Sequence, residues 1–517
     1  MRQIRRKTSV PKMVMFTALL LGIGMMPMSL AAEEAKPKYG GTLRFVGEID
    51  GMGFDALKTR ALIGVSRVTG NLLMEKLFDR GEQGELIPVL GLSATLSEDG
   101  KIWTVKLRKG VSFHDGTPFN AEAVVSHWQR LLDPKNRFRG RLLLRPLVSV
   151  EKTGDDEVRF HLKHAWLPFT AFLTNPGGFT ALIPSPKAVA DDTQNRAPVG
   201  TGPFVFKEWK SGDRIVVTKN PDYWQKGKPY IDEVVCRPIP DHESRYAALV
   251  SGQADIMISD RPTHVKKLTH NPDFTTFPLK WRGAGILVLN NTRPPLNDIR
   301  VRRALALAWD QKKYIRASFQ DILPYTEHWF GDALNCGDVN YPSPDLDKAR
   351  SLIAEYGKPV EVEYVHTATN RGREAGMIMQ QMFKQIGVKV SPVPLDFPGI
   401  MKKLFSKNFD ITSWVIPGAY DMGLISMAIL HSKGAWNTAG YANEEVDKLL
   451  NEQQLATDPE ARSEALCRIA RKVNSDAPFL HMFGRTYYLF ARKNVHDVKL
   501  TVLGEEGLQF ANVWMNH

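Results

Sequence analysis

Two histidines in this sequence have a spacing that could hold a metal ion. His161 and His164 are three residues apart, and imidazole is a common ligand of zinc and nickel. The segment from Val158 to Leu162 alternates apolar and polar residues like a strand, however, and strand residues three apart point to opposite faces. The sequence therefore predicts no metal centre at this pair.

Other arrangements that carry out chemistry are weak or missing. There is no G-x-x-x-x-G-K-[ST] phosphate loop, no H-E-x-x-H zinc motif and no G-x-S-x-G nucleophile turn. Gly283-Ala284-Gly285 precedes a strand-like run rather than a helix, which makes it a poor phosphate cradle. His114-Asp115 and His242-Glu243 are adjacent pairs, more typical of solvated loops than of catalytic dyads. The sequence thus favours a binding protein without a cofactor over an enzyme, and a secreted hydrolase is the main alternative from another class.

Residues 1–31 have the pattern of an export signal. The basic residues come first: Arg2, Arg5, Arg6, Lys7 and Lys12. An apolar run from Met13 to Leu30 follows, and the small residues around Ala31 suit a signal peptidase. We expect cleavage near Ala31 rather than an uncleaved membrane anchor. Because no cysteine near this point could carry a lipid, we also expect the mature chain to be free in the periplasm. Both the general secretory and the twin-arginine routes remain open.

The composition suits a large protein that depends on buried cores. About 485 mature residues are too many for one core, so two or three domains are expected. The whole chain has a formal net charge of +12, and removing the five positive charges of the signal leaves +7. The sequence also contains no run of basic residues with interleaved aromatic residues. Nucleic acid is therefore not an expected partner, whereas an anionic ligand remains open. Cys236, Cys336 and Cys467 allow at most one disulfide within the chain, with its pairing undetermined.

Hydrophobic patterning predicts an α/β protein. Residues 79–199 resemble a compact α+β insert, and Gly200-Thr201-Gly202-Pro203 marks the change to strand-rich sequence. Gly285–Leu289 is apolar on both faces, which predicts a buried strand that suits a parallel sheet. Strands and helices alternate after Asn291. Helices are predicted at Gly70–Phe78, after the capping residue Asn120, and at Val301–Phe319, Arg373–Ile386, Ile400–Phe405, Glu444–Ala456 and Pro459–Val473.

Several segments in the same order resemble the peptide/nickel-type family of periplasmic solute-binding proteins, family 5. The matching segments are Leu107–Gly116 (LRKGVSFHDG) with the helix after Asn120, Val199–Phe204 (VGTGPF), Asn220–Trp224 (NPDYW), Leu289-Asn290 through Val301–Leu305 (VRRAL), and Tyr441–Leu450. Each segment alone is weak, but the series extends along nearly the whole mature chain.

The resemblance implies a two-lobed periplasmic binding protein of the type II, cluster C-like class that closes on its ligand. The implied domains are a first domain in three parts (39–78, 200–290 and 477–517), an α+β insert as the second (79–199) and an α/β third domain (291–476). The chain would cross between lobes near Asn290 and Pro478, and ligand would be enclosed between them. The implied partner is an inner-membrane ABC permease with its ATPase subunits, served by a monomer.

The resemblance also points to residues that could recognise the ligand. In peptide-binding relatives a tryptophan of the third domain is followed three residues later by an aspartate that pairs with the peptide ammonium. Trp414 supplies the tryptophan, but the expected acid is replaced by Pro417. Asp421 could take over the ammonium or cap the next helix, and both alternatives stay open. Trp414 itself could stack on ligand or belong to the core.

A second candidate is Arg371, in a loop between a predicted strand and a predicted helix. Relatives often place a carboxylate-binding arginine in this loop, and a guanidinium forms two parallel bonds to a carboxylate. Further ligand-binding candidates are Glu48, Asp50, Trp436, Asn437 and Tyr441. The family default is a peptide ligand, and the alternatives are an opine, an organic acid, an oligosaccharide or a metal chelate.

Overall fold

The computed structural model describes residues 36–59, 64–81, 85–142, 144–174, 181–330, 334–337, 339–416, 421–501 and 504–516. The predicted export signal and Pro417 lie outside these residues. The chain divides into two units, Met1–Pro37 and Lys38–His517, and the described helices and strands belong to the second. Within the described ranges no helix combines the length and apolar character needed to cross a bilayer.

The helices occur throughout the second unit. They are α1 (Gly64–Leu73), α2 (Ala121–Leu132), α3 (Phe169–Thr174), α4 (Pro186–Ala190), α5 (His242–Val250), α6 (Pro262–Thr269), α7 (Ile299–Ala308), α8 (Gln311–Phe319), α9 (Leu346–Tyr356), α10 (Asn370–Lys384), α11 (Phe397–Phe405), α12 (Met422–Leu430), α13 (Glu444–Leu455) and α14 (Pro459–Asp476). Most begin at a short polar cap, as predicted for α2, where Asn120 accepts a hydrogen bond from the backbone N–H of Ala123.

The strands form one large sheet and several small ones. They are β1 (Thr42–Gly47), β2 (Phe78–Arg80), β3 (Leu86–Pro88), β4 (Gly91–Leu96), β5 (Ile102–Leu107), β6 (Leu147–Gly154), β7 (Glu157–Leu162), β8 (Phe204–Lys210), β9 (Arg214–Lys219), β10 (Glu233–Pro238), β11 (Ile256–Ser259), β12 (Phe274–Leu289), β13 (Val360–Thr367), β14 (Val388–Leu395), β15 (Ile411–Ile416), β16 (Phe479–Arg492), β17 (Val495–His496), β18 (Lys499–Thr501), β19 (Gly504–Gln509) and β20 (Trp514–Met515).

The large sheet has ten strands in the order β14-β13-β15-β12-β16-β11-β1-β10-β9-β8. We call β8, β9, β10, β1 and β11 its first half, and β13, β14 and β15 its second half. In the first half β1 is parallel to β10 and β11, and in the second half β13 is parallel to β14 and β15. Both halves therefore have parallel strands whose carboxyl ends can hold side chains at one edge.

Two long strands, β12 and β16, join the halves. They pair with each other on both sides of a register shift between Lys280 and Ala284. On one side of this shift, residues Tyr488–Ala491 of β16 also pair with β11. On the other side, residues Ala284–Leu289 of β12 also pair with β15. The two strands therefore connect the first half of the sheet to the second. Gly285–Leu289 is buried as predicted, but the expectation of a parallel strand was wrong, because β12 is antiparallel to both neighbours.

A separate antiparallel sheet, in the order β4-β5-β7-β6, packs against α2. Val124, Trp128 and Leu131 of this helix are buried on one face, as the sequence predicts. Trp128 contacts Phe160 of β7 edge to face, with ring centroids 5.3 Å apart. This aromatic core gives the α+β segment its own interior.

One disulfide joins Cys336 to Cys467 on α14, a sequence separation of 131 residues. The third cysteine, Cys236, is buried in β10 as a free thiol, and burial raises its pKa to about 12. The structure thus determines the pairing that the sequence leaves open, and Cys236 is held in its unreactive protonated form.

Candidate ligand-binding site

Charged side chains from both halves of the large sheet meet at the carboxyl ends of β1, β11 and β13. Glu48 follows β1, Asp260 and Arg261 follow β11, and Arg371 lies in the first turn of α10, after β13. Arg245 of α5 extends to the same place. We call these five residues the charged edge.

Arg371 and Asp260 form the central contact of the charged edge. Arg371 Nη1 lies 2.8 Å from Asp260 Oδ2 and Nη2 lies 3.2 Å from Oδ1, so the two side chains pair through two hydrogen bonds. The guanidinium also lies 5.0 Å from the ring centroid of Phe319. Burial acts to lower the arginine pKa, but the Asp260 carboxylate outweighs it and the pKa is raised. The Arg371 guanidinium, which the sequence analysis assigns to an anionic ligand, thus binds the carboxylate of Asp260 in the same chain.

Glu48, at the end of β1 in the first half, lies near Arg245. Arg245 is almost completely buried and donates to the backbone oxygens of Ile239 and Pro240, and its Nη2 lies 3.5 Å from Glu48 Oε2. The Glu48 side chain remains 60% exposed. Burial and the nearby Arg371 lower the pKa of Arg261, while Asp260 and Glu48 act to raise it. Glu48 and Arg371 therefore both lie within electrostatic range of Arg261.

Asp50, by contrast, braces a loop. Its Oδ1 accepts from the backbone N–H of Gly51 and its Oδ2 accepts from that of Gly212, both at 2.7 Å. Both carboxylate oxygens are thus bonded to backbone, and Asp50 is placed for a structural role.

Asp421 caps α12. Its Oδ1 accepts from the backbone N–H of Leu424 at 3.0 Å and lies 2.7 Å from Arg462 Nη2. Both side chains are largely buried, with 10% and 15% exposure. Of the two alternatives drawn from the sequence, this geometry corresponds to the helix cap.

The two candidate tryptophans have different surroundings. Trp414 is half-buried on β15, where it pairs with Ile286 of β12 and packs against the apolar cluster beneath. Trp436 is 44% exposed and donates its backbone N–H to Ala428. Trp436 therefore offers an accessible aromatic face, whereas Trp414 contributes mainly to packing.

Asn437 and Tyr441 belong to a buried hydrogen-bond network. The amide of Asn437 donates to the Tyr441 carbonyl at 2.6 Å and accepts from its N–H at 3.0 Å. The Tyr441 hydroxyl donates to Asp476 at 2.8 Å. Burial and this carboxylate raise the tyrosine pKa, so the hydroxyl stays protonated. The Asn437 side chain thus stabilises the loop itself, and the Tyr441 side chain attaches the loop to α14.

Glu75 connects two of the segments that resemble family 5. This fully buried carboxylate accepts hydrogen bonds of 2.8 Å from Thr201, Tyr223 and Trp224, which lie in the VGTGPF and NPDYW segments. Burial raises its pKa from 4.5 to about 7, although the three bonds act to lower it. The Nε2–H of His114, in the HDG segment, donates to the Gly202 carbonyl at 2.9 Å. These motifs are therefore joined to one another through Glu75 and His114.

Sequence reasoning missed Asp260, Arg261 and Arg245. The first two directly follow the apolar strand Ile256–Ser259, and the position at a strand's carboxyl end is the signal that selected Arg371. Applied to every strand, the same rule finds Asp260. Among the described residues, no group of three or more histidine, cysteine or acidic side chains could hold a metal ion.

A two-part sheet joined by two through-running strands, with charged loops of both parts meeting at one edge, defines a two-lobed binding protein. The chain belongs to the bacterial extracellular solute-binding proteins, family 5, whose model (family 5 Middle) matches residues 85–438. It is 30% identical to heme-binding protein A of Haemophilus influenzae, over 87% of this chain and 88% of that protein. It is 26% identical to di/tripeptide-binding protein 2 of Pseudomonas aeruginosa, over 80% and 84%.

The solved structures agree on the fold. The periplasmic binding protein DppA of Helicobacter pylori, in complex with the peptide STSA, superposes with a TM-score of 0.82 at 23% identity, covering 92% of this chain and 98% of that one. These matches confirm the family and the two-lobed α/β fold predicted from the sequence. The chain is thus a solute-binding component of an ABC importer, and the secreted-hydrolase alternative is not favoured.

Proposed function

We propose that this chain captures a short peptide in the periplasm and delivers it, as a monomer, to an inner-membrane ABC permease with its ATPase subunits. The observation that carries the proposal is the charged edge, where acidic and basic side chains from both halves of the sheet converge. Such an arrangement suits a zwitterionic ligand with a polar backbone. The similarity to a di/tripeptide-binding protein supports the same ligand class. The chain would break no bond in this role.

Within this site we assign the peptide ammonium to Glu48. Its carboxylate is 60% exposed and lies at the end of β1, where a ligand enclosed between the lobes would pass. Asp421 is unsuited because its Oδ1 is shared between the helix cap and Arg462. The exposed ring of Trp436 is a candidate contact for an apolar peptide side chain.

The periplasmic location follows from two features. Residues 1–31 have the export pattern described above, with cleavage near Ala31. The Cys336–Cys467 disulfide suits an oxidising compartment, because cytosolic thiols are kept reduced.

For the domains we propose the borders that the resemblance implies, with one refinement. The domains are a first in three parts (39–78, 200–290 and 477–517), an insert (79–199) and a third (291–476). The refinement places the hinge within β12 and β16, at the register shift between Lys280 and Ala284, rather than at Asn290 and Pro478. A bulge interrupts the ladder there and allows the two parts of the sheet to bend.

Calorimetric titration of the ligand-stripped mature chain tests the ligand assignment. Trialanine should bind, and N-acetyl-trialanine, which lacks the ammonium, should bind more weakly by about 1.5–3 kcal/mol, the value of a hydrogen bond to a charged group. Glu48→Gln should cause a similar loss for trialanine. Glu361→Gln is the matched control, because Glu361 is 64% exposed and lies at the opposite end of β13. Equal binding of both peptides, or none of either, would refute the assignment.

A further inference from the structure

We infer that Asp260 and Arg371 form a clasp that holds the two lobes closed before ligand arrives. The inference rests on the proposed function only in requiring a protein that opens and closes, and it holds for any ligand class. Asp260 thereby supplies from within the chain the carboxylate that a ligand would otherwise bring to this arginine.

The positions of the two residues support the clasp. Asp260 directly follows β11 of the first half, and Arg371 lies on α10, which packs against β13 and β14 of the second half. The residues are 111 positions apart, and the chain between them passes from the first half to the second through β12. Motion of one half away from the other at the Lys280–Ala284 shift would separate the pair.

Partial burial and neighbouring side chains strengthen the contact between Asp260 and Arg371. The side chains are 31% and 19% exposed, and the pairing is through two hydrogen bonds. Phe319 of α8 covers the guanidinium from the second half. Arg261 lies close enough for its pKa to be lowered by Arg371, so an unneutralised Arg371 would face a like charge across the edge. Asp260 removes this repulsion, and loss of its charge should favour opening.

A contact between the second half and the α+β segment points the same way. Leu424 lies on α12, which follows β15 of the second half. It is only 6% exposed and belongs to the apolar cluster of the α+β segment, together with Phe78 and Trp128. The arrangement in which Asp260 and Arg371 pair thus has an apolar contact in addition to the ionic one.

The clasp has a consequence for ligand choice. Because Asp260 already accepts hydrogen bonds from Nη1 and Nη2 of Arg371, a ligand needs no carboxylate at this position for the lobes to close. A ligand that did carry one would have to displace Asp260. Asp260 is therefore a specificity-determining residue that lets ligands without a carboxylate at this position be accepted.

Small-angle X-ray scattering of the ligand-free protein tests the clasp without any ligand. The mature chain is unfolded, dialysed and refolded to remove ligand, and its radius of gyration is compared with those of Asp260→Asn and Arg371→Gln. A compact chain of this length should give about 23 Å. Both variants should be larger, since loss of a coupling contact shifts an open-to-closed ratio by roughly 5- to 150-fold. Circular dichroism confirms that each variant is folded.

The matched control is Glu208→Gln. Glu208 pairs with Arg214 at 2.7 Å, both about one-third exposed, but within the β8–β9 hairpin of the first half, so its loss should leave the radius unchanged. Asp260→Glu keeps the charge and should remain compact. The clasp is refuted if the unaltered chain is as large as the variants, if only one of the two pair variants opens, or if Glu208→Gln opens equally. Absence of peptide binding would refute the ligand assignment alone.

Discussion

The carboxylate of Asp421 lies 2.7 Å from the guanidinium of Arg462 and at the same time caps the first turn of α12. Arg462 also donates to the backbone and side-chain oxygens of Gln453 on α13. One acidic side chain thus ties α12, α13 and α14 together. A residue that the sequence offers as a ligand contact is, in the structure, part of the framework.

Asp421→Ala should therefore destabilise the protein whether or not ligand is present. Removing one partner of a largely buried ion pair costs about 3–5 kcal/mol, and a lost helix cap contributes to this loss. Asp421→Asn should cost less, because asparagine is a good cap. Urea denaturation monitored by circular dichroism measures both. Unchanged stability with lost ligand binding would instead restore Asp421 as a ligand contact.

Stability should depend on pH through Glu75. Burial raises its folded pKa to about 7, above the unfolded 4.5, so the folded chain binds this proton more tightly. The stabilisation is complete below pH 4.5 and is lost as pH rises through 7, by roughly 3 kcal/mol for this single group. Glu75→Gln should remove that part of the pH dependence, while Glu98→Gln on the exposed β4–β5 turn should not. Parallel stability curves for Glu75→Gln and the unaltered chain would contradict this account.

Thiol titration should reveal the cysteine arrangement in three steps. The native chain should show no reactive thiol, the unfolded chain one, and the unfolded and reduced chain three. Cys467→Ser should also lower stability, by up to about 5 kcal/mol in a chain-entropy estimate for the 131-residue separation. Three thiols on unfolding without reductant would show that the disulfide is absent.

Binding should tolerate removal of a ligand's carboxylate. Because Asp260 already occupies Arg371, trialanine amide should bind within about tenfold of the free acid, a difference of 1.4 kcal/mol or less. In Asp260→Asn the arginine is freed and the acid should gain over the amide. A large preference for the acid in the unaltered chain, abolished by Arg371→Gln, would show that ligand displaces Asp260.

Much of the fold could be predicted because local signals and packing agree. Asn120 predicted the start of α2, and apolar spacing predicted its buried face. The predicted helix Val301–Phe319 is instead two helices, because Trp309 is extended and Asp310 caps α8. The predicted helix Gly70–Phe78 was wrong at both ends, because α1 runs from Gly64 to Leu73, Glu75 is buried beyond it and Phe78 begins β2. Caps and buried polar groups inside an apolar pattern decide these borders.

The site was harder to predict than the fold. Position after a strand drew attention to Arg371, and its role in ligand binding, like that of Glu48, stays a prediction. The partner of Arg371 comes from 111 residues away, and one sequence contains no signal for such a pairing. Asn437 and Tyr441 have side chains suited to ligand binding, but they bond to each other and to Asp476. Polarity alone does not separate a ligand contact from a structural one.

A thermal-shift screen of the ligand-stripped mature chain tests most directly whether the lobes enclose a short peptide. A ligand at a hundredfold excess over its Kd stabilises by about 2.7 kcal/mol. Di- and tripeptides of L-residues should raise the Tm by several degrees, and single amino acids, sugars and metal chelates should not. A shift with heme, opines or organic acids alone, and none with peptides, would contradict the claim.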